Sequence, residues 1–571
     1  MNYPTIDPAI DPSTAPSTAL PTIGLPSRGS ILRRLSLGAL SCSCILALAP
    51  ALMTSQALAE DEGDSFWTDF IPSTDTRLIF VSSSEGRDSN TGLTADSPVK
   101  SLEKGYALLR DGSPDWMLLK RGDTWNEALP NWGKSGRSES EVMILGAYGE
   151  ETARPQVRPD GDTVGMQLVG GSEIEHVAFV GFRLEPLDRT IDQSSSGIRM
   201  LRSSHNILFE DLYVSGFAAN FIFQEHAGST ISDIRINGCV VVDAWSRSAH
   251  AQGLYAEGVG NFIIENSVFD HNGFDTERGA HPTIFNHNIY IQNEADGVVV
   301  RNNIISNASS HGIQLRSGGI IEDNLFAGNP LQILFGGGNY PNENGVTGHV
   351  KRNLIMYGRG ISSSLPRSFG IETSNVRSAQ FSENILIDGE VGYNGYPIRI
   401  HGPSAYGMSD LVISNNTLIN WNGTIDIHHS PEGQEYRDIS FIGNTIIRDM
   451  NNNHGNSNFN KSFVSAFDAE DPSLTFSENT YRHKGMHNRP FLSGGSVIDG
   501  DTWLSSVDQR SSIEEISEMP TGIGLGDYMA SFRSDGSVDG FIAEARKLSR
   551  AHQDDRFTPG AVYEWISGQV D

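Results

Sequence analysis

Cysteine is almost absent from this chain: there are three in 571 residues, and Cys42 and Cys44 sit in a leader-like stretch, so Cys239 stands alone. That excludes a disulfide framework, and stability must come from packed apolar side chains. Amphipathic runs of the length a helical repeat needs, about 10 to 15 residues, are also missing. No apolar stretch after residue 59 is long enough to span a bilayer. Positive charge is scarce, with 41 Lys and Arg against 70 Asp and Glu, a formal net charge of -29. Such a surface repels nucleic acid and anionic membranes, so neither is an expected partner.

Near the amino terminus, Arg33-Arg34 precede an apolar stretch from Leu35 to Leu52, and Ala57-Leu58-Ala59 come before the acidic Glu60-Asp61-Glu62. The order basic, apolar, small is that of a secretory leader. Residues 1–59 are therefore read as an extension and signal peptide. The mature chain is expected to be secreted or periplasmic, monomeric and not inserted in a membrane.

What the chain has in abundance is a repeat. A column of small polar residues, mostly Asn, recurs ahead of short apolar runs at Gly181, Asp211, Cys239, Ser267, Asn303, Asn324, Asn353, Asn384, Asn416, Asn444 and Asn479. A period near 30 residues marks a solenoid. Within each repeat, segments such as Gly312-Ile313-Gln314-Leu315-Arg316 alternate inward and outward residues, which is the period of a strand. Stacked coils of short strands give an all-β, right-handed parallel β-helix of about 10–12 coils. At a tight bend an Asn tolerates left-handed backbone angles, and its amide can bond the same position on the next coil. The column thus specifies fold. Cys239, in register with it, is expected at an interior bend and not as a nucleophile.

Residues 60–115 read as an entry segment and a capping helix, with Ser97-Pro98 as its start and Leu102, Tyr106 and Leu109 on one face. Residues 116–500 form the solenoid. Residues 501–571 form a tail in which Gly540 to His552 reads as a closing helix. The opening run Asp88-Ser89-Asn90-Thr91-Gly92, Ser97-Pro98, Ser101-Leu102 and Leu119-Lys120-Arg121-Gly122-Asp123-Thr124-Trp125 resembles the entry region of secreted β-helix proteins of the pectate-lyase-like superfamily. That resemblance implies a polysaccharide as partner, and it spans lyases, hydrolases, epimerases, esterases and tailspikes.

Alignment of the strands defines two outward columns. One reads Arg199, Ile222, Tyr255, Tyr290, Gln314, Leu334, Glu372, Arg399, Asp426; the other reads Leu201, Gln224, Glu257, Gln292, Arg316, Gly336, Ser374, His401, His428. Titratable groups concentrate between His271 and Arg316, where His271, His281, His287 and His311 fall and the stretch from Phe274 to Phe285 lengthens one repeat. Long loops on regular scaffolds are where sites are built. The segment from Asn303 through Gly312-Ile313-Gln314-Leu315-Arg316 to Asn324-Leu325-Phe326 is similar to the part of the alginate and chondroitin lyase family that carries a catalytic arginine, and implies that role for Arg316. Where that family has a lysine one coil earlier, this chain has Tyr290 and Gln292.

β-Elimination on a uronic acid removes the proton beside a carboxylate, and the charge that develops needs an arginine, an amide or a cation. His287, His311 or Tyr290 are the candidate bases, Tyr290 the candidate acid, and Arg316 the neutralising cation. Arg199, Tyr255, Gln292, Gln314, Arg399, His401 and His428 are candidate contacts to the polymer. Glu257, Asp270, Asp275 and Glu277 are the residues that could hold Ca²⁺. A hydrolase needs two carboxylates instead, for which Glu372 and Asp426, two coils apart, are the nearest pair. A C5-epimerase shares the abstraction step, and a non-catalytic sugar-binding solenoid is the remaining alternative.

Overall fold

The computed structural model describes residues 66–571, apart from 162, 171–172, 189, 191, 193–194, 227, 338–343, 390–394, 402–406, 422, 429–435, 451–461, 486–489 and 571. The expected leader, 1–59, lies outside the described residues. Three long sheets run the length of the molecule, two of 14 strands and one of 13, and each strand pairs with its equivalent one repeat away. We call them sheets A, B and C in the order the chain visits them in each coil: Val259–Glu265, Val268–Asp270 and His287–Ile291 are one such set. Pairing is parallel throughout, save one antiparallel pair at the end of sheet C. The stack is longer than 10–12 coils because strands add at both ends: Leu78–Val81 starts sheet A and Ser512–Glu515 extends sheet B beyond residue 500.

Inside, like stacks on like. Ile289, Ile313, Ile333, Ile371 and Ile398 are in register on successive coils and fully buried. The polar column lies at the bend from sheet A to sheet B. Asn303 Nδ2 donates to Asn324 Oδ1 at 3.0 Å, and the same bond repeats through Asn353, Asn384, Asn416, Asn444 and Asn479 at 2.9–3.1 Å. Each amide oxygen also accepts the backbone N–H of the preceding ladder member. Two details correct the sequence reading. The left-handed residue is the one before the ladder, among them Asn302, Asp323, Arg352, Glu383, Asn415 and Glu478, with φ of 53–60°. Asp211 and Gly181 are also left-handed, so the ladder position on their coils is taken by the buried Leu212 and Phe182. Short strands force the chain to turn there whatever the residue type, and the side chain that fills the interior follows it. Cys239 is fully buried, and burial pushes its thiol pKa up, as befits an interior filler.

The amino-terminal end has the expected helix with a later start, and the far end is closed by other means than expected. The capping helix is Leu102–Leu108, started by Ser101, whose side chain accepts from Lys104 N. Pro98 and Val99 instead run beside the first strand, where Val99 bridges Val81 and both are buried. At the far end Trp503 stacks on Phe491 with centroids 4.2 Å apart. The tail helices, Leu525–Ala530, Val538–Ala545 and Pro559–Val570, do not close that end. They pack through Leu525, Met529, Phe541, Val562 and Ile566 on the outer residues of sheet B, including Val242, Ile304, Leu354 and Ile387. The helix expected over Gly540 to His552 stops at Ala545, and Arg546 turns its guanidinium onto Asp243 and Asp270. Covering sheet B leaves the outer face of sheet C as the surface on which polar side chains converge.

Candidate functional site

On the outer face of sheet C the observed registers join Arg199 to Ile222, Tyr255, Tyr290, Gln314, Leu334, Glu372, Arg399 and Asp426, coil by coil. The first outward column read from the sequence is therefore the geometric one. Strict alternation breaks just before it. Asn288 turns inward, fully buried, and donates to Ser306 O and Asn329 Oδ1, so His287 faces the same side as Tyr290 with ring centroids 5.0 Å apart. Asn288 belongs to a second interior amide chain, Asn220, Asn272, Asn288, Asn329 and Gln332, linked by side-chain bonds of 2.7–3.3 Å. This chain lies directly beneath the histidines and fixes the backbone that carries them.

His287 and His311 occupy adjacent coils and are 3 % and 5 % exposed. Their rings are 4.7 Å apart and nearly perpendicular, with Nδ1 atoms 3.2 Å apart. Ser310 Oγ lies 2.8 Å from His287 Nδ1 and 3.1 Å from His311 Nδ1, and its hydroxyl donates to Asn286 O at 2.7 Å. Gln314 is satisfied when its amide nitrogen donates to His287 Nε2 at 3.0 Å and its oxygen accepts from Arg316 Nε and Nη2 at 3.2 Å. The Gln314 amide makes His287 Nε2 an acceptor, so His287 carries its hydrogen on Nδ1, facing Ser310 Oγ and His311 Nδ1. His311 Nε2 makes no hydrogen bond among the described residues. Burial, then His311, then Arg316 hold the His287 pKa well below the ordinary histidine range. Burial, then Arg316 and Arg367, lower that of His311 to about 3. Both rings are thus neutral near pH 7.

Around this pair, Arg316 places its guanidinium 5.0 Å from the Tyr290 ring centroid and donates to Gln292 Oε1 at 3.3 Å. Gln292 reaches Tyr255 Oη at 3.4 Å, and Tyr255 donates to Glu257 Oε2 at 2.8 Å. Glu257 also accepts from Gln224 at 2.6 Å. The six residues His287, Tyr290, His311, Gln314, Arg316 and Gln292 form one continuous cluster, with Tyr255 and Glu257 at its edge. The long loop forms a wall beside it. Thr283 N donates to Ser309 Oγ and Ser310 Oγ lies 3.0 Å from Ile284 O, while Phe285 stays 45 % exposed next to His250.

Other expected residues lie apart. Arg199 donates to Gln167 at 2.9 Å, three coils before Tyr290. Arg399 is held between Glu372 at 2.9 Å and Asp426 at 3.5 Å, and His401 and His428 sit beside it with rings 5.4 Å apart. Burial, then Arg399, lower the His401 pKa to about 3. His271 turns away to Asp243, and His281 is exposed in the loop. The four acidic residues considered for Ca²⁺ do not converge, which corrects that expectation. Asp270 is on sheet B, accepting from Ser306 and Asn307 and paired with Arg546. Asp275 caps the short helix Thr276–Arg278 and pairs with Arg278, and Glu257 is taken by Tyr255 and Gln224. Glu277 lies within the same short helix and is exposed. Among the described residues no group of three or more His, Cys, Asp or Glu is placed to share a metal. Two concavities, of about 40 Å³ against the tail helices and about 520 Å³ beside Asp388 and Asp527, contain none of the clustered residues. Missed in the sequence were Ser310 and Arg367. Ser310 looks like any loop serine, and Arg367 precedes its strand, so it belongs to neither column.

A family model for the right handed beta helix region matches residues 172–347. The chain is a right-handed parallel β-helix. No curated protein sequence matches it. Among solved structures, it is similar to a mannuronic acid specific polysaccharide family 6 lyase from human gut microbiota, at 12% identity and a TM-score of 0.49, covering 78% of this chain and 96% of that one. It is also similar to a GH136 lacto-N-biosidase from Eubacterium ramulus, at 13% identity and a TM-score of 0.38, covering 77% and 68%, and to a pectate lyase, at 13% identity and 0.32, covering 74% and 82%. At these identities the likeness concerns the fold. Among the described residues no helix is long and apolar enough to cross a membrane.

Proposed function

We propose that this protein is an exported enzyme that cleaves a uronic-acid polysaccharide, such as alginate or pectin, by β-elimination. The observation that carries the reading is the neutral imidazole pair beside a guanidinium that faces only amides and an aromatic ring. His311 Nε2 takes the C5 proton, and electrons move from the C–H bond into the ring as the C4–O bond breaks. Arg316 neutralises the carboxylate on which charge accumulates, oriented by the Gln314 and Gln292 oxygens. Tyr290, in contact with both His287 and Arg316, is placed to protonate the departing O4. The role of His311 requires its tautomer with the hydrogen on Nδ1, toward Ser310 Oγ at 3.1 Å, which leaves Nε2 basic.

Hydrolysis by Glu372 and Asp426 is less well supported, because a glycosidase keeps the space between its carboxylates for the glycosidic oxygen and water, and here Arg399 fills it. The test is to incubate the protein with uronic and neutral polysaccharides and follow absorbance near 232 nm together with reducing ends. New absorbance in step with reducing ends is expected on a uronan. Reducing ends without absorbance would mean hydrolysis, and inverted C5 without either would mean epimerisation.

The pH profile gives an independent check. A base whose pKa is depressed by burial stays unprotonated in acid, so kcat/KM holds level well below the ordinary histidine pKa of about 6.5. A substrate carboxylate beside His311 favours imidazolium and moves the acid limb of kcat upward from that of kcat/KM. A single limb near 6.5 in both would show an exposed histidine at work instead.

Stability should follow the opposite course. Unfolded histidines bind protons from about pH 6.5 downward, whereas folded His287, His311 and His401 do not until lower pH. The unfolded state therefore holds more protons in that window, and Tm is expected to fall as pH drops below about 6.5. His401→Gln should flatten part of that slope.

A further inference from the structure

We infer that Arg367 is a second carboxylate-reading cation, so that the site recognises two consecutive acidic sugars. The inference deepens the elimination reading and rests on it. Arg367 stands at the end of the loop before Ser368–Ser374, with its guanidinium 5.5 Å from the Phe369 ring centroid. The loop is set by the turn in which Ile361 N and Ser362 N donate to Leu365 O, and by packing of Ile361 and Leu365 with Leu331, Phe369 and Ile284. Half-buried and fixed in this way, Arg367 makes no hydrogen bond or ion pair among the described residues. Glu372 is near enough to act on it electrostatically, but its carboxylate bonds Arg399. Arg316 likewise faces only amide oxygens and the Tyr290 ring.

Two guanidiniums without carboxylate partners on one face are not the result of a shortage of acids, since the chain has 70 Asp and Glu against 41 Lys and Arg. Both act on His311, and from different directions. Arg316 follows His311 on the same coil. Arg367 is two residues ahead of Phe369, whose register runs through Leu331 to His311, two coils away. Two coils are about 10 Å along the axis, and the guanidiniums are held at different places on the face, Arg316 over Tyr290 and Arg367 over Phe369. Arg316 is therefore matched to the reacting uronate and Arg367 to the acid group of a neighbouring sugar. Planar guanidinium suits that task because it binds carboxylate through two parallel N–H bonds.

The experiment compares contiguous oligouronides with oligosaccharides in which uronate alternates with neutral sugar. Wild type should cleave the contiguous series with kcat/KM roughly tenfold higher, the worth of one charge-assisted hydrogen bond. Arg367→Gln should remove that preference, chiefly by raising KM on the contiguous series. Arg367→Lys, which keeps charge without the fork, should retain part of it. Equal cleavage of both series by wild type, or an unchanged preference in Arg367→Gln, would overturn the assignment and leave elimination standing. Should wild type cleave neither, elimination fails. Calorimetric titration of the contiguous oligouronide then decides Arg367 alone, with equal affinity in wild type and Arg367→Gln overturning it.

Discussion

His311→Ala is expected to lower the rate at which 232 nm-absorbing ends appear by roughly 10²–10⁴-fold, the range for loss of a positioned general base. The fold should persist, because the ring lies on the outer face of sheet C and not in the isoleucine stack beneath it. Arg316→Ala should cost about 10²–10³-fold, chiefly in kcat, since the charge it meets is largest in the transition state. His287→Ala should cost less. That ring bonds Gln314 and Ser310 and so orients its neighbours, whereas His311 is the ring proposed to take the proton. Full activity in both His311→Ala and Arg316→Ala, with Tm unchanged, would place the chemistry elsewhere on the sheet.

The largest effect on stability is expected in the asparagine ladder. Asn384 Oδ1 accepts both Asn353 N and Asn353 Nδ2, and Asn384 itself donates to Asn416 Oδ1 and Val350 O. Asn384→Leu leaves two buried donors of Asn353 without that acceptor and removes two bonds onward. Buried unmet groups cost about 1–3 kcal/mol each, so a loss of roughly 2–5 kcal/mol is expected. Gln509→Ala is the matched control, because Gln509 bonds Ser505 O at the exposed surface and should cost within about 0.5 kcal/mol. Urea denaturation followed by circular dichroism separates the two. Equal midpoints would show that the ladder contributes nothing to stability.

Much of the fold was legible because a solenoid repeats its information. Each coil restates the strand period and the bend, so one misplaced repeat is corrected by its neighbours. Only where Leu212 and Phe182 replace a polar residue does the column slip by one position, since the left-handed Asp211 and Gly181 look like ladder members. The outward column was legible for the same reason. The partnership of His287 with His311 was less so, because it depends on Asn288 turning inward and breaking alternation, and only the bonds to Ser306 and Asn329 show that it does. Arg367 could not be found by pattern at all. It reaches the face from a loop, and its significance is the lack of a carboxylate partner, which a sequence does not display. The tail helices were misplaced because an apolar helix near a chain end fits either an end or a flank. The deciding clue was the strands of sheet B, such as Val240-Val241-Val242, apolar on both sides.

The ladder has a direction. In every amide-to-amide bond from Asn303 to Asn479 the donor is on the amino-terminal coil and the acceptor on the carboxyl-terminal one, so the side-chain carbonyls point one way along the axis. Aligned hydrogen bonds polarise each other, and the stack ends with its donor side outward. Asn479 gives that last N–H to the fully buried carboxyl group of Asp508, at 3.1 Å. The solenoid therefore has a built-in polarity, and a terminus chemically matched to it. A coil inserted or removed within the run would leave every junction unchanged, whereas one added past Asn479 would have to displace Asp508. Length can vary in the middle of this molecule, and the finished end is what tells the stack where to stop.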